Sequence, residues 1–216
     1  MRSSFVHLLR GLLIVLVMCG FAAPALALTS TTTTLTLSPA SPVGKGQTVV
    51  LTATVVGASP TGNVTFMNGA TNLGSRSLTS GSATLSVPFN AKGTFSLTAV
   101  YAGDSNNATS TSAAKSLTVL NASTTTLSYS GTPPIGTGQG VTLTAAVSAT
   151  SPTGTVSFYD GATSLGSGTI ASGSATLATS FATAGSHSVT AVYNGDASNA
   201  GSTSAAQNIN VITGTV

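Results

Sequence analysis

Ser186 to Asp196 reads SHSVTAVYNGD and sets His187, Tyr193, Asp196 and the hydroxyls of Ser186, Ser188 and Thr190 within eleven residues. The whole chain holds two histidines and three acidic residues, all aspartate, so this is its densest cluster of groups able to move a proton or hold a metal. An imidazole beside a carboxylate and a hydroxyl contains the parts of a nucleophilic triad, and imidazole with carboxylate is half of a metal site. The same residues have a second reading. His187, Val189, Ala191 and Tyr193 occupy alternate positions, which places them on one face of a strand, and Asn194-Gly195-Asp196 is turn material.

Parts for chemistry are scarce elsewhere. Serines abound, but none stands in the G-x-S-x-G elbow that exposes a nucleophile. Asp104 lies alone in the first half, Asp160 and Asp196 lie in the second, and glutamate is absent, so paired-carboxylate glycoside hydrolysis lacks its groups. A calcium site would need several more oxygen ligands than these loops supply. Gly136 to Gly140, GTGQG, leads into a strand pattern and lacks the lysine and helix of a phosphate loop. It aligns with GKGQT at Gly44 and reads as a turn needing left-handed residues. Cys19 is the only cysteine and sits in an N-terminal apolar run, leaving no disulfide or thiolate beyond it. No catalytic, cofactor-binding or metal-ligating residue is assigned, and the chain reads as non-enzymatic.

The elements that must position these residues are set by an internal repeat. SPTGNVTFMNGATNLGS at Ser59 returns as SPTGTVSFYDGATSLGS at Ser151, SGSATL recurs at Ser80 and Ser172, and TAVYAGD at Thr98 answers TAVYNGD at Thr190, always 92 residues on. Ser59 to Ala114 against Ser151 to Ala206 gives 34 identities in 56 ungapped positions. A period this long exceeds that of solenoids and suits a small domain with its own core. In this register His187 falls on Phe95. A base or ligand is not expected to exchange with phenylalanine, so His187 reads as a structural residue at the rim of a core. Tyr101 and Tyr193 fall on each other; their rings are expected to fill a sandwich end while the hydroxyls reach backbone partners, with Asp104 and Asp196 capping the next turn. Tyr129 shares the parity of Leu127 and is expected inward; Tyr159 follows the inward Phe158 and is expected outward.

Within each copy the apolar period is two. Val49, Leu51, Ala53 and Val55 alternate with polar or small residues, as do Val141, Leu143, Ala145 and Val147. Turn clusters such as SPTG, NGA and SGS separate about seven short runs per copy, a pattern that predicts two antiparallel sheets packed face to face. The threonine run at Thr29 to Ser38 predicts an edge strand. SPTGTVSFYDGATSLGS followed by SGSATL, AGSHSVTAVYNGD and STSAA resembles the bacterial immunoglobulin-like repeats of secreted and cell-surface proteins. That resemblance covers nearly all of residues 32–211 and implies an Ig-like β-sandwich with a structural or adhesive role. The expected fold class is all-β, two tandem Ig-like sandwiches after a signal peptide.

MRSSFVHLLR, the apolar GLLIVLVMCGF and the Ala25-Leu26-Ala27 ending have the layout of a secretory signal cut after Ala27. The expected divisions are therefore residues 1–27, 28–120 and 121–216. Beyond residue 27 the basic groups Lys45, Arg76, Lys92 and Lys115 face three aspartates, a net of +1, and charged residues are 4% of the chain. No basic stripe suits nucleic acid, and no membrane span is expected in the exported chain. The expected location is extracellular or at the cell surface, as a monomer or part of a longer repeat array. The expected role is a non-enzymatic spacer or adhesive module; the alternative is a module binding extracellular protein or glycan through its end loops or Tyr159. No cofactor is expected.

Overall fold

Apolar residues alternate with threonine and serine along most of the long strands, β3 and β12 above all, and these strands bury every second residue accordingly. The computed structural model describes residues 27–131 and 133–214. The first copy runs β1 (Thr32–Ser38), β2 (Val43–Gly44), β3 (Thr48–Val56), β4 (Asn63–Asn68), β5 (Thr71–Ser77), β6 (Ser82–Pro88), β7 (Gly93–Tyr101), β8 (Ser110–Thr111) and β9 (Lys115–Leu120). The second repeats it as β10 (Thr124–Tyr129), β11 (Ile135–Gly136), β12 (Gly140–Ser148), β13 (Thr155–Asp160), β14 (Thr163–Thr169), β15 (Ser174–Ser180), β16 (Gly185–Tyr193), β17 (Ser202–Thr203) and β18 (Gln207–Ile212). Each copy thus has the seven longer strands that the turn spacing predicts, plus two of two residues each. Among the described residues there is no helix. The apolar run and cleavage pattern read as a signal lie in residues 1–26 and at Ala27, almost wholly outside the described residues.

Each copy is two sheets face to face. In the first, a three-stranded sheet of order β1-β3-β6 covers a sheet of order β2-β9-β7-β4-β5, with β8 paired to β7. The second copy has β10-β12-β15 over β11-β18-β16-β13-β14, with β17 on β16. All pairings are antiparallel except the short β2-β9 and β11-β18. Leu35, Leu51 and Leu85 from one sheet meet Phe66, Leu97 and Leu117 from the other in the first core. Leu143, Phe158, Val189 and Ile209 do the same in the second. Each such side chain, fully buried, contributes about 1.5–3 kcal/mol relative to exposure.

Turns and edges fix the register. Ser80 and Gly81 both take positive φ, 50° and 76°, and Thr79 and Ser82 exchange backbone hydrogen bonds of 2.8 and 3.0 Å around them. That is a two-residue hairpin whose twist matches its strands, and Ser172-Gly173 repeats it. The threonine run is an edge strand, β1, as its composition predicts. Its hydroxyls are tied across to the opposite sheet: Thr31 Oγ1 and Thr33 Oγ1 each lie 2.7 Å from Ser110 Oγ.

The junction leaves no free chain. Lys45 N–H donates to Leu120 O at 2.8 Å inside the first copy, and the next residue, Asn121, already pairs in the second, donating to Ser198 O and accepting from Ala200 N–H, both at 2.9 Å.

Candidate functional site

Tyr101 and Tyr193 end β7 and β16, are fully buried, and are followed by a glycine and an aspartate. Gly103, φ 79°, turns the chain so tightly that a Cβ there would stand 2.9 Å from Asn107 O. The turn brings Asp104 back over its own loop. Asp104 Oδ1 accepts from the N–H groups of Asn106 and Asn107, both at 2.8 Å. Its Oδ2 accepts from Thr61 N–H at 2.8 Å, Thr61 Oγ1 at 2.9 Å and Tyr101 Oη at 3.0 Å. Asn107 Nδ2 donates to both oxygens, at 2.9 and 3.0 Å. The second copy builds the same knot from Tyr193, Asp196, Ser198, Asn199 and Thr153.

The electrostatics follow from this geometry. Backbone N–H groups of Asn106 and Thr61 hold the Asp104 carboxyl far below the usual carboxylate range, and the Asn199 side-chain amide with the Ser198 N–H does the same for Asp196. Burial, with the neighbouring aspartate, pushes the Tyr193 hydroxyl up to about 12 and raises that of Tyr101. An ionised carboxylate saturated by donors neither takes up a proton near neutrality nor has lone pairs free for a cation. The two aspartates cap their turns as the sequence predicts. The tyrosine hydroxyls bond the aspartate carboxylates, not the backbone partners expected, because the tight glycine turn places the carboxylate nearer.

One difference separates the knots. Asn107 Oδ1 accepts Ala58 N–H at 2.8 Å, whereas the fully buried Asn199 Oδ1 has no protein partner, although its Nδ2 still donates to Thr150 O at 3.0 Å.

His187 lies at the rim of the second core, as its parity predicts, with its side chain 13% exposed. Nδ1 meets Asp160 Oδ2 at 2.5 Å, Nε2 meets Thr183 O at 3.0 Å, and the ring stacks on Phe181 at 4.4 Å between centroids. The Asp160 hydrogen bond raises the His187 pKa; burial opposes this and the Thr183 carbonyl adds to it. Asp160 is the partner that reading the SHSVTAVYNGD stretch alone misses. The signal lay in the repeat: Phe95 becomes His187 and Asn68 becomes Asp160 together, on the neighbouring strands β16 and β13, where Asp160 pairs with Val189 two residues from His187. The opening cluster is therefore divided, with Tyr193 and Asp196 at one end of the sandwich and His187 at the other. Tyr129 packs partly buried against the second core, and Tyr159 is half-buried at a bulge between Phe158 and Tyr159. Among the described residues no three His, Cys, Asp or Glu side chains gather to hold a metal. No helix among them is long and apolar enough to cross a membrane.

Two facing, mostly antiparallel sheets per copy, pinned at one end by a tyrosine at the close of β7 or β16, define an Ig-like tandem. The chain belongs to the bacterial Ig-like domain (group 3) family, which matches residues 27–120 and again 123–212. Among solved structures it is similar to the fibronectin(III)-like modules of CbhA from Clostridium thermocellum, at TM-score 0.50 and 19% identity over 83% of this chain and 93% of that one. The human OSCAR ligand-binding domain aligns at TM-score 0.34 and 20% identity over 82% of this chain and 98% of that one. At such identities the CbhA likeness is one of fold alone. No protein of curated function matches in sequence.

Proposed function

We propose that the chain is a non-enzymatic structural and adhesive module of the cell exterior, with a signal peptide at residues 1–27 and sandwiches at 28–120 and 121–216. The junction carries this reading. Leu120 is bonded in one sandwich and Asn121 in the next, so the pair acts as a stiff spacer between whatever its two ends hold. The surface supports it, since hydroxyls and amides do the work of charge and respond little to salt or acidity. Both knots spend their aspartates on turn geometry, in keeping with a scaffold. Fractionation of bacterial cells expressing the full chain, with N-terminal sequencing, tests the location: a chain starting at Leu28 outside the cytoplasm is expected. A cytoplasmic chain retaining residues 1–27 contradicts it.

A second reading, binding of glycan or extracellular protein, is favoured by the half-buried Tyr159 at its bulge, a ring that the first copy replaces with Met67. Binding on a glycan array or in pull-downs that is lost in Tyr159→Ala but kept in His187→Ala supports that reading; loss in both variants or in neither counts against it.

A further inference from the structure

The same end of the two sandwiches is finished in two chemistries. In the first copy Phe95 packs on Phe89, centroids 5.0 Å apart, and Asn68 and Ala91 stand where the second copy has Asp160 and Thr183. In the second, His187 of β16 reaches Asp160 at the end of β13 with one ring nitrogen and the 181–184 turn with the other. Both of those partners are acceptors: a carboxylate and a main-chain carbonyl. A neutral imidazole owns one N–H, so it can satisfy one of them only, and its other nitrogen then presents a lone pair to an oxygen. The imidazolium satisfies both.

Nothing else near the ring competes for the proton or the carboxylate. β18 offers Gln207, Asn208, Ile209 and Asn210, β14 carries no charged residue, the turn adds Phe181 and Thr183, and residues 121–216 contain no lysine or arginine. Asp160 therefore has His187 as its only cationic neighbour within the copy.

We propose that His187, Asp160 and the Thr183 carbonyl form a proton-set clamp, present in the second sandwich alone, that closes the 181–184 turn onto β13 and β16 in acid and slackens it as the ring loses its proton. The sign follows from linkage. The folded ring binds its proton more tightly than the free side chain, whose value is 6.5, so the clamp is complete below that value and is lost as pH rises through the folded one. The first sandwich, with phenylalanine and asparagine in these places, has no such dependence, which makes it an internal reference. A surface module so built would hold one end of its second sandwich tightest in an acidified medium.

NMR of the purified protein from about pH 5 to about pH 9 tests this. The His187 ring is expected to titrate above 6.5. Amide protection over 182–188, corrected for intrinsic exchange, is expected to fall across the same midpoint, tenfold for each unit by which that midpoint exceeds the open-state value, while protection over 90–96 stays level. The double variant His187→Phe with Asp160→Asn installs the pair that the first copy already accommodates, and its 182–188 segment should become level too. A ring midpoint at or below 6.5, or protection of 182–188 that tracks 90–96 at every pH, overturns the clamp.

Discussion

A single methyl group explains why the two asparagine knots differ. A Cβ added to Gly57 would stand 2.7 Å from Asn107 Oδ1 and 2.8 Å from Thr31 Cγ2, distances no Cβ tolerates. At the equivalent places the second copy has Ala149 and Ser123, so it gains a methyl at one position and drops one at the other. The exchange relieves the contact with residue 123 but not the contact with the asparagine oxygen, and Asn199 Oδ1 loses the N–H that Asn107 Oδ1 keeps. Gly57→Ala should therefore destabilise the first sandwich by about 1–3 kcal/mol, the penalty for a buried acceptor left unpaired. Thr31→Ser should recover part of that loss, and a double-mutant cycle read by denaturant midpoints gives the coupling. Additive effects would show that the two methyls do not compete. This level was only partly legible in the sequence. The alternation placed His187 and Tyr193 correctly on a core-facing row, but hydrogen-bond partners depend on how far a turn swings a side chain back, and no spacing rule encodes that for Tyr101 and Asp104.

Strands were the most legible element, because a period of two with one apolar face leaves a single way to bury it. The threonine-rich β1 and the turn at Ser80-Gly81 followed from composition and turn chemistry alone. What the sequence hid is how the sheets meet at their edges. A Cβ on Gly168 of β14 would stand 2.5 Å from Thr176 O of β15, a backbone atom that cannot swing aside, whereas the first copy carries Arg76 at this position. The edge strands of the two sheets thus approach more closely in the second sandwich than side chains there permit. Gly168→Ala should cost the second sandwich about 1–3 kcal/mol through overpacking, measured as a fall in its unfolding midpoint. A variant as stable as the parent would mean that β14 and β15 part easily.

At the scale of the whole molecule, the 92-residue repeat makes the tandem plain from the order of residues alone, since 34 shared residues in 56 leave no room for two different folds. The charge division is less apparent. Lys45, Arg76, Lys92 and Lys115 against Asp104 make the first copy basic, while Asp160 and Asp196 make the second acidic. Lys92 and Asp196 line one cleft at the junction. Attraction between groups of this kind contributes at most about 1 kcal/mol, so the stiffness proposed for the pair rests on the chain itself, which passes from Leu120 in β9 to the paired Asn121 without a free residue. Spin labels on cysteines introduced at the exposed, equivalent Thr84 and Thr176, in a Cys19→Ser background, test this most directly through the distance distribution between them. A single narrow distribution that broadens when five Gly/Ser residues are inserted between Leu120 and Asn121 is the predicted result. A parent distribution already as broad as that of the insertion variant would contradict the stiff spacer.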